Sequence, residues 1–344
     1  MLSTTLRRRS VGTRIAVTLG ALAIGMSTAA CSSDGDSADA AAATTTQSGE
    51  WPRTVDTATG PVTLDAQPQR IVSTSVTLTG SLLSLDAPLI GTGAQPKSTV
   101  TNDQGLFTQW ADVAAERDVE VLYQGQPNVE KITAAAPDLI VVSTSGADSA
   151  AQQVATLSQI APTLLFDYSD KSWQDLTTQL AAAVGKEDRA TELLAEFDAR
   201  IDEAKRAIAP ALQNGAAPVN ILTYNSPDDS KIFTAESAQG RLISRLGLTV
   251  GELPAEIAGS GAAAGRSDIV SVNMENLPRA LTGATTFVIN AQQPGADRLK
   301  ADPTLAAVPS VQRGAVFPLD FDSFRLDFYS ANNVVDRIVA ALSQ

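Results

Sequence analysis

The feature that most constrains the fold is residues 172–209, a stretch of nearly 40 residues with no proline and only one glycine, Gly185. Its apolar side chains recur at steps of three and four residues, which is typical of a helix with one buried face. They are Leu193, Leu194, Phe197, Ile201, Ala204 and Ile208. We therefore predict one long amphipathic helix, bent at Gly185 and ended by Pro210 and the loop at 214–218.

The sequence before this helix alternates between strand-like and helical patterns. Apolar runs predict strands at residues 70–76, 89–93, 119–123, 138–143 and 163–166. Helical patterns lie between them at 77–85, where Thr77 is the predicted cap, and at 129–136 and 150–160. Residues 138–143 are almost continuously apolar, as in a strand buried on both faces of a parallel sheet.

The same alternation resumes after the long helix. Predicted strands lie at 219–224, 268–272, 286–290 and 316–320, and predicted helices at 239–246, 274–281 and 330–342. Strands that alternate with helices indicate an α/β fold with parallel sheets. We expect two Rossmann-like lobes, residues 51–171 and 210–344, joined by the helix at 172–209.

The first 30 residues have the pattern of a signal peptide. Arg7, Arg8, Arg9 and Arg14 precede an uncharged apolar run that is shorter than the roughly 20 residues of a membrane span. Small residues then lead to Cys31, the only cysteine, as in a lipoprotein signal, although Thr28 departs from the usual box. The predicted consequence is a lipid anchor at Cys31, and the alternative is ordinary cleavage that leaves a free thiol.

Residues 31–50 are rich in Ser, Asp, Ala and Thr and predict a flexible tether behind that anchor. The chain without its signal carries 21 basic and 38 acidic residues, a net charge of −17. So acidic a protein has no general affinity for nucleic acid or anionic lipid. We expect an exported monomer at the outer face of the cell membrane, attached through the lipid alone.

The chain contains no histidine. Together with the single cysteine, this excludes Ser-His-Asp and Cys-His catalytic sites and zinc or haem sites that depend on histidine. Catalysis by paired carboxylates stays open, as in glycosidases, but no sequence pattern marks such a pair. We predict a binding protein, with no enzymatic activity, no cofactor and no metal ligand of its own.

A weak internal repeat links the two halves of the chain. Residues 128–132 and 273–277 share the order Asn, apolar, Glu, any residue, aliphatic. Asparagine is a good helix cap, and a carboxylate in the first turn favours the helix dipole, so local stability alone could account for either site. Its presence in both lobes favours a shared role for Glu130 and Glu275.

Six segments resemble substrate-binding proteins of ABC importers that take up ferric catecholate siderophores such as ferric enterobactin. They are IVSTSVTLTGSLL (71–83), DQG (103–105), PDLIVVS (137–143), IAPTLLFDYSDKSWQ (160–174), ESAQG (236–240) and FRLDFYSA (324–331). The likeness extends over residues 51–342. It implies the fold of a helix-linked periplasmic binding protein, also described as chelatase-like, with the ferric siderophore between its lobes.

The resemblance also implies partners. The loaded protein would dock on a membrane permease that is driven by a cytoplasmic ATPase, with one glutamate of each lobe meeting arginines of the permease. Glu130 and Glu275 stand at the matching positions. The chelator would fill the coordination sphere of the iron, so no protein atom would touch the metal.

A ferric tris-catecholate has a net charge of −3 and aromatic faces, and arginine suits both because its guanidinium donates hydrogen bonds and stacks on rings. The resemblance implies that Arg325 binds the ligand, whereas an ion pair with Asp322 or Asp327 is its structural alternative. Arg266, in a loop rich in glycine and alanine, and Arg241, which would otherwise cap the helix at Gln239, are further candidates.

Three uncharged residues complete the predicted site. Phe233 would supply an aromatic face, or would lie in the core. Thr77, through donors of a helix N-terminus, and Gln104, through its amide, would line the cleft from the N-terminal lobe. Thr99 and Val100 stand where relatives can carry another basic residue, so the choice of chelate stays open.

Other functions remain compatible with the residues. A receptor for ferric hydroxamates, ferric citrate or a corrinoid would share the fold, and a neutral ligand would not need clustered arginines. A surface hydrolase that uses only carboxylates, or an adhesin or signalling protein that has lost transport, is also conceivable from the sequence.

Overall fold

The computed structural model describes residues 50–343 apart from 58, 170, 227–228 and 262–266. The predicted signal peptide, most of the tether, Cys31 and Arg266 lie outside the described residues. Within the described part of the chain, no helix is both long and apolar enough to cross a membrane.

The N-terminal lobe is built on a five-stranded parallel sheet. Its strands are β3 Ile71–Ser73, β4 Leu89–Ala94, β5 Glu120–Gln124, β6 Leu139–Ser143 and β7 Thr163–Phe166, preceded by a hairpin of β1 Arg53–Thr57 and β2 Gly60–Leu64. The spatial order is β5-β4-β3-β6-β7. Every residue of β6 is buried, as its continuous apolar pattern predicts.

Helices cover the faces of this sheet. They are α1 Val76–Ser84, α2 Ala111–Glu116, α3 Val129–Ala134 and α4 Val154–Leu157, with a short 3-10 turn at Ala151–Gln153. The predicted cap of α1 at Thr77 is wrong. The helix begins one residue earlier, and the Ser75 hydroxyl accepts the Leu78 N–H as its cap. The predicted helix at 150–160 is reduced to the 3-10 turn and the single turn of α4.

The predicted long helix is divided into two helices, α5 Trp173–Val184 and α6 Glu187–Gln213. Gly185 separates them because it adopts a left-handed conformation, with φ of 69°, that ends α5. Of the two predicted stops, Pro210 lies inside α6 and does not end it, whereas the loop at 214–218 begins where the helix ends. A proline removes only its own N–H from the helix ladder, and the chain continues to Gln213 before the Asn214 N–H closes the last turn.

The C-terminal lobe has a five-stranded mixed sheet. Its strands are β8 Val219–Ser226, β9 Asp229–Phe233, β10 Ile269–Val272, β11 Thr285–Val288 and β12 Val316–Pro318, in the order β10-β9-β8-β11-β12. β9 is antiparallel to both neighbours, while β8, β11 and β12 are parallel. The sequence analysis did not predict β9, whose apolar residues are too few to mark a strand.

Six helices accompany this sheet within the described residues. They are α7 Ala238–Arg245, α8 Ala255–Gly261, α9 Leu277–Ala280, α10 Gln293–Ala301, α11 Pro309–Gln312 and α12 Phe328–Leu342, with 3-10 turns at Pro303–Leu305 and Phe321–Phe324. The helix predicted at 274–281 is shorter, because residues 274–276 form a turn. The helix predicted at 330–342 begins two residues earlier, capped by Asp327.

The corner between α5 and α6 is held by the segment that opens the N-terminal lobe. The last carbonyls of α5 have no partner within the helix. Arg53 donates to the Ala182 carbonyl at 2.7 Å and to the Glu187 carboxylate at 2.5 Å, and the Gln67 amide donates to the Val184 and Gly185 carbonyls. Arg53 is only 3% exposed, so it supplies a buried cation at the negative end of α5.

We predict that Arg53→Ala lowers the free energy of unfolding by about 2 kcal/mol or more, because it leaves the Ala182 carbonyl and the Glu187 carboxylate without their partner. Chemical denaturation of residues 50–344 measures this loss. Arg70→Ala is the matched control, since Arg70 is exposed and also donates to two carbonyls. Equal losses for the two variants would contradict the structural role of Arg53.

Candidate ligand-binding cleft

A cleft of about 350 Å³ lies between the two lobes. The N-terminal lobe contributes the helix α1, the loop between β4 and α2, and the segment after β7. The C-terminal lobe contributes the end of β9, the start of α7 and the segment before α12. The residues that line it include Thr77, Phe107, Gln109, Tyr168, Trp173, Phe233, Arg241, Phe324, Arg325 and Asp327.

The N-terminal wall is built around the start of α1. Two of its first-turn backbone donors are already occupied, because the Asp148 carboxylate accepts the Thr77 N–H at 3.0 Å and the Ser75 hydroxyl accepts the Leu78 N–H at 3.2 Å. The prediction that Thr77 offers helix N-terminal donors to a ligand is therefore wrong. Thr77 lines the cleft with its side-chain hydroxyl instead.

Arg325 crosses the cleft from the C-terminal lobe. Its guanidinium donates to the Thr77 hydroxyl at 3.0 Å and lies 6.0 Å from the centre of the Phe107 ring. The two carboxylates considered as its ion-pair partners are engaged elsewhere. Asp322 pairs with Arg337 at 2.5 Å, and Asp327 caps α12. Among the described residues no carboxylate forms an ion pair with Arg325, and its charge is therefore available to a ligand.

The cap of α12 fixes the backbone of Arg325. The Asp327 carboxylate accepts the Ser330 N–H, and the Ser330 hydroxyl accepts the Asp327 N–H, which together form a capping box. The same Ser330 hydroxyl donates to the Arg325 carbonyl at 2.9 Å. A helix cap two residues away thus orients the cation that faces the ligand.

Asp327 also joins the lobes. It is buried, with 7% of its surface exposed, and burial raises the pKa of its carboxyl above the usual range, against the opposing effect of its hydrogen bonds with Ser330 and Gln109. The Gln109 amide of the N-terminal lobe donates to it at 3.1 Å. Gly80 of α1 leaves room for this contact, since a Cβ there would lie 2.8 Å from both the Asp327 carboxylate and the Trp110 indole.

Aromatic rings line both walls. Phe233 is 2% exposed and packs its ring at a steep angle against Phe324, with the ring centres 6.2 Å apart. Phe324 is 41% exposed, and among the described residues it is the only large hydrophobic side chain that is exposed. Of the two, Phe324 presents the flat accessible surface, and Phe233 supports it from the core.

Arg241 lies at the rim of the cleft, exposed on α7. It does not cap this helix as considered from the sequence, because the Ser237 hydroxyl caps it by accepting the Gly240 N–H. The Arg241 guanidinium instead donates to the Glu236 carbonyl. Its position allows its charge to act on an anion in the cleft.

Other predicted residues lie elsewhere or cannot be placed. Gln104 is exposed and is not among the residues that line the cleft, and its backbone carbonyl accepts the Gln124 amide. Arg266 lies outside the described residues. Glu130 in the first turn of α3 and Glu275 in the turn before α9 are both exposed, and neither pairs with a cation among the described residues.

The internal repeat has a common local geometry. The Asn128 side chain accepts the N–H of residue 131, and the Asn273 side chain accepts the N–H of residue 276, at 3.0 and 3.1 Å. In each lobe this turn follows the edge strand of the sheet, β5 or β10. The two asparagines therefore hold two exposed glutamates in matching turns.

The sequence analysis did not single out several cleft residues. They include Phe107, Gln109, Tyr168, Trp173 and Phe324. Tyr168 follows the carboxyl end of β7, where ligand-binding residues of parallel sheets collect, and this signal was available in the sequence. No local pattern marks Phe107 or Gln109, because only the approach of α12 brings them to the cleft.

Two α/β lobes, the long helix α6 between them in the chain and a cleft between the lobes define a substrate-binding protein of the bilobal kind. The chain belongs to the periplasmic binding protein family, whose model matches residues 71–323. It is 45% identical over 296 residues to the ferric enterobactin-binding periplasmic protein FepB of Escherichia coli, covering 86% of this chain and 92% of that protein.

Solved structures agree on the fold. The crystal structure of holo-ViuP is 34% identical and superimposes with a TM-score of 0.69, covering 83% of this chain and 94% of that one. SirA of Staphylococcus aureus, solved with staphyloferrin B, is 20% identical with a TM-score of 0.64, over 84% of this chain and 98% of that one, and supports the fold alone.

We predict that Gly80→Ala destabilises the protein by about 1–2 kcal/mol. The added methyl group collides with Asp327 and Trp110 at the contact between lobes, and this overpacking outweighs the roughly 1 kcal/mol by which alanine favours a helix. Thermal unfolding followed by circular dichroism measures the change. An unchanged or raised melting temperature would show that the lobes do not meet this closely at Gly80.

Proposed function

We propose that this protein captures a ferric siderophore outside the cell and delivers it to an ABC transporter for iron uptake. The observation that carries the proposal is Arg325, a half-buried cation that projects into a cleft between two lobes with no carboxylate partner among the described residues. The 45% identity to a ferric enterobactin-binding protein supports the class of ligand.

The chemistry of the cleft suits an anionic aromatic chelate. Arg325 and Arg241 offer positive charge, and Phe324 offers an exposed ring surface. A guanidinium can donate to catecholate oxygens and stack on their rings, whereas a neutral chelate gains little from either charge. A catecholate chelate is therefore favoured over a neutral hydroxamate chelate or a corrinoid, and the exposed ring of Phe324 favours it over citrate, which is anionic but has no aromatic face.

The iron in this proposal is cargo held by its chelator. Among the described residues, no group of three or more acidic or cysteine side chains could hold a metal ion. The protein would act by binding and release, without a catalytic step and without a cofactor, and as a monomer.

Further parts of the proposal concern the location of the protein, the roles of its segments and one additional arginine. Residues 1–30 would direct export, and a lipid on Cys31 would hold the protein at the outer face of the membrane through the tether at 31–50. Residues 51–171 and 210–344 would form the two halves of the receptor, and the connecting segment at 172–209 would limit their relative movement. Arg266 would add positive charge to the ligand site.

We predict that Arg325→Glu weakens the binding of a ferric tris-catecholate at least tenfold, or roughly 1.4 kcal/mol, because it replaces attraction of the trianion with repulsion. Purified residues 50–344 should show quenching of tryptophan fluorescence as the chelate binds, with Trp173 in the cleft as reporter. The wild-type affinity should be micromolar or better.

Arg206→Glu is the matched control, since this substitution makes the same change in net charge at an exposed position of α6. It should leave affinity within about twofold. If the wild-type protein responds to no ferric siderophore, with the iron-free siderophore and cobalamin as comparisons, the proposed function is wrong. Equal losses for both variants would mean that net charge, and not Arg325, governs binding.

We predict that Glu130→Ala and Glu275→Ala leave chelate binding unchanged and reduce iron uptake by cells. Both carboxylates are exposed in matching turns, where they could meet cations of a permease. Glu116→Ala, at an exposed position of α2, is the control and should not affect uptake. Loss of chelate binding in either glutamate variant would place that residue in the binding site and contradict the docking role.

A further inference from the structure

Asp148 is a charged residue beside the cleft for which the proposed function gives no role. Its carboxylate bridges two elements of the N-terminal wall. One oxygen accepts the Ser75 hydroxyl and the Thr77 N–H, at 2.5 and 3.0 Å, and the other accepts the Tyr168 hydroxyl at 2.7 Å. All these donors turn toward Asp148, so they are not offered to a ligand.

Tyr168 is held firmly in this arrangement. Its N–H donates to the Ser145 hydroxyl, and its own hydroxyl packs over Gly146, where a Cβ would lie only 1.6 Å away. Gly146 has a φ of 79°, a conformation that glycine adopts without strain. The loop at 145–148 therefore fixes the ring at one edge of the cleft with its hydroxyl proton directed at Asp148.

The hydroxyl groups of this wall are linked to Arg325. Arg325 donates to the Thr77 hydroxyl, and a hydrogen bond from Thr77 acts to lower the pKa of Tyr168. The Arg325 charge also acts to lower this pKa. Burial of Tyr168 and the Asp148 charge act in the opposite direction and outweigh both effects, so the pKa of Tyr168 is raised. Tyr168 is thus a neutral phenol whose single proton is already donated.

These contacts give the two walls opposite hydrogen-bonding character. Thr77 and Tyr168 have directed their protons away from the cleft, so they present only oxygen lone pairs to it. Arg325 uses one N–H on Thr77 and, as a guanidinium, retains others. The anionic oxygens of a chelate are therefore attracted to the Arg325 guanidinium and repelled by the oxygens of Thr77 and Tyr168.

Resting on the proposed function, we infer that Asp148 is a positioning and specificity-determining residue that makes the Thr77 and Tyr168 part of the N-terminal wall a hydrogen-bond acceptor, and so selects chelates with their negative charge on one face. The opposite face of such a chelate is uncharged or carries donors such as amide N–H or hydroxyl groups. Asp148 acts through Thr77 and Tyr168 and need not touch the ligand.

Asp148→Asn tests this inference because it removes the charge and preserves the shape. We expect the variant to bind a hexadentate ferric tris-catecholate of charge −3 at least threefold more tightly than the wild type, by fluorescence quenching. Asp118→Asn is the matched control, since it makes the same change in charge at an exposed position in the turn after α2, and it should bind within twofold of the wild type. Unchanged or weaker binding by Asp148→Asn, or equal tightening by Asp118→Asn, would overturn the inference.

A second readout does not depend on any ligand. In protein labelled with ¹³C at the tyrosine ring, the Tyr168 signal, assigned by its loss in Tyr168→Phe, should titrate at lower pH in Asp148→Asn than in the wild type. The shift is expected because the Asp148 charge and the hydrogen bond that it accepts from Tyr168 both raise the pKa of this phenol. An unchanged Tyr168 titration would overturn the inference, whereas failure of the wild type to bind any ferric chelate would overturn the proposed function.

Tyr168→Phe provides an independent test should Asp148→Asn fail to fold. If Tyr168 faces the ligand only as an acceptor, loss of its oxygen leaves binding of the trianion equal or tighter. A tenfold weaker affinity would instead mean that the Tyr168 hydroxyl donates to the chelate, which contradicts the assigned direction of its proton.

Discussion

The hydrogen bond from Arg325 to the Thr77 hydroxyl is the contact on which the organisation of the cleft depends. It joins a cation of one lobe to the first turn of α1 in the other, and each end is fixed by a cap of its own helix. Ser330 of the α12 capping box holds the Arg325 carbonyl, and Asp148 together with the Ser75 cap holds the backbone at Thr77. Local helix-capping chemistry thus determines the geometry between lobes.

The charge of the cleft depends on which of its ionised side chains are paired with other groups. The chain has a large negative net charge, so an anionic chelate is attracted only where cations are concentrated and nearby carboxylates are engaged. Asp322 is neutralised by Arg337, Asp327 is buried in a helix cap with a raised pKa, and Asp148 accepts three hydrogen bonds. The carboxylates near the cleft therefore position other groups, and the guanidinium of Arg325 faces the space between the lobes.

The fold was largely accessible from the sequence, since period and composition mark the strands of the parallel sheets and the long helix. What the sequence could not decide was competition between neighbouring residues. Ser75 and Thr77 are both suitable caps, and the tertiary contact with Asp148 selects Ser75. Likewise β9 has little apolar signal of its own, and it forms because β8 and β10 supply hydrogen-bonding partners on both sides.

Residues of the candidate site could be predicted from the sequence only where their own type and immediate neighbours indicate ligand binding. An arginine beside an aromatic residue, as at 324–325, is visible in one dimension, but the cooperation of Thr77, Tyr168 and Asp148 joins residues about 70 and 20 positions apart in the chain. The direction of each hydroxyl proton decides whether such a wall donates hydrogen bonds to a ligand or accepts them. That direction is set by the carboxylate to which the proton is donated. A carboxylate that is not itself a ligand can therefore determine ligand choice, because it fixes whether the hydroxyls in front of it donate or accept.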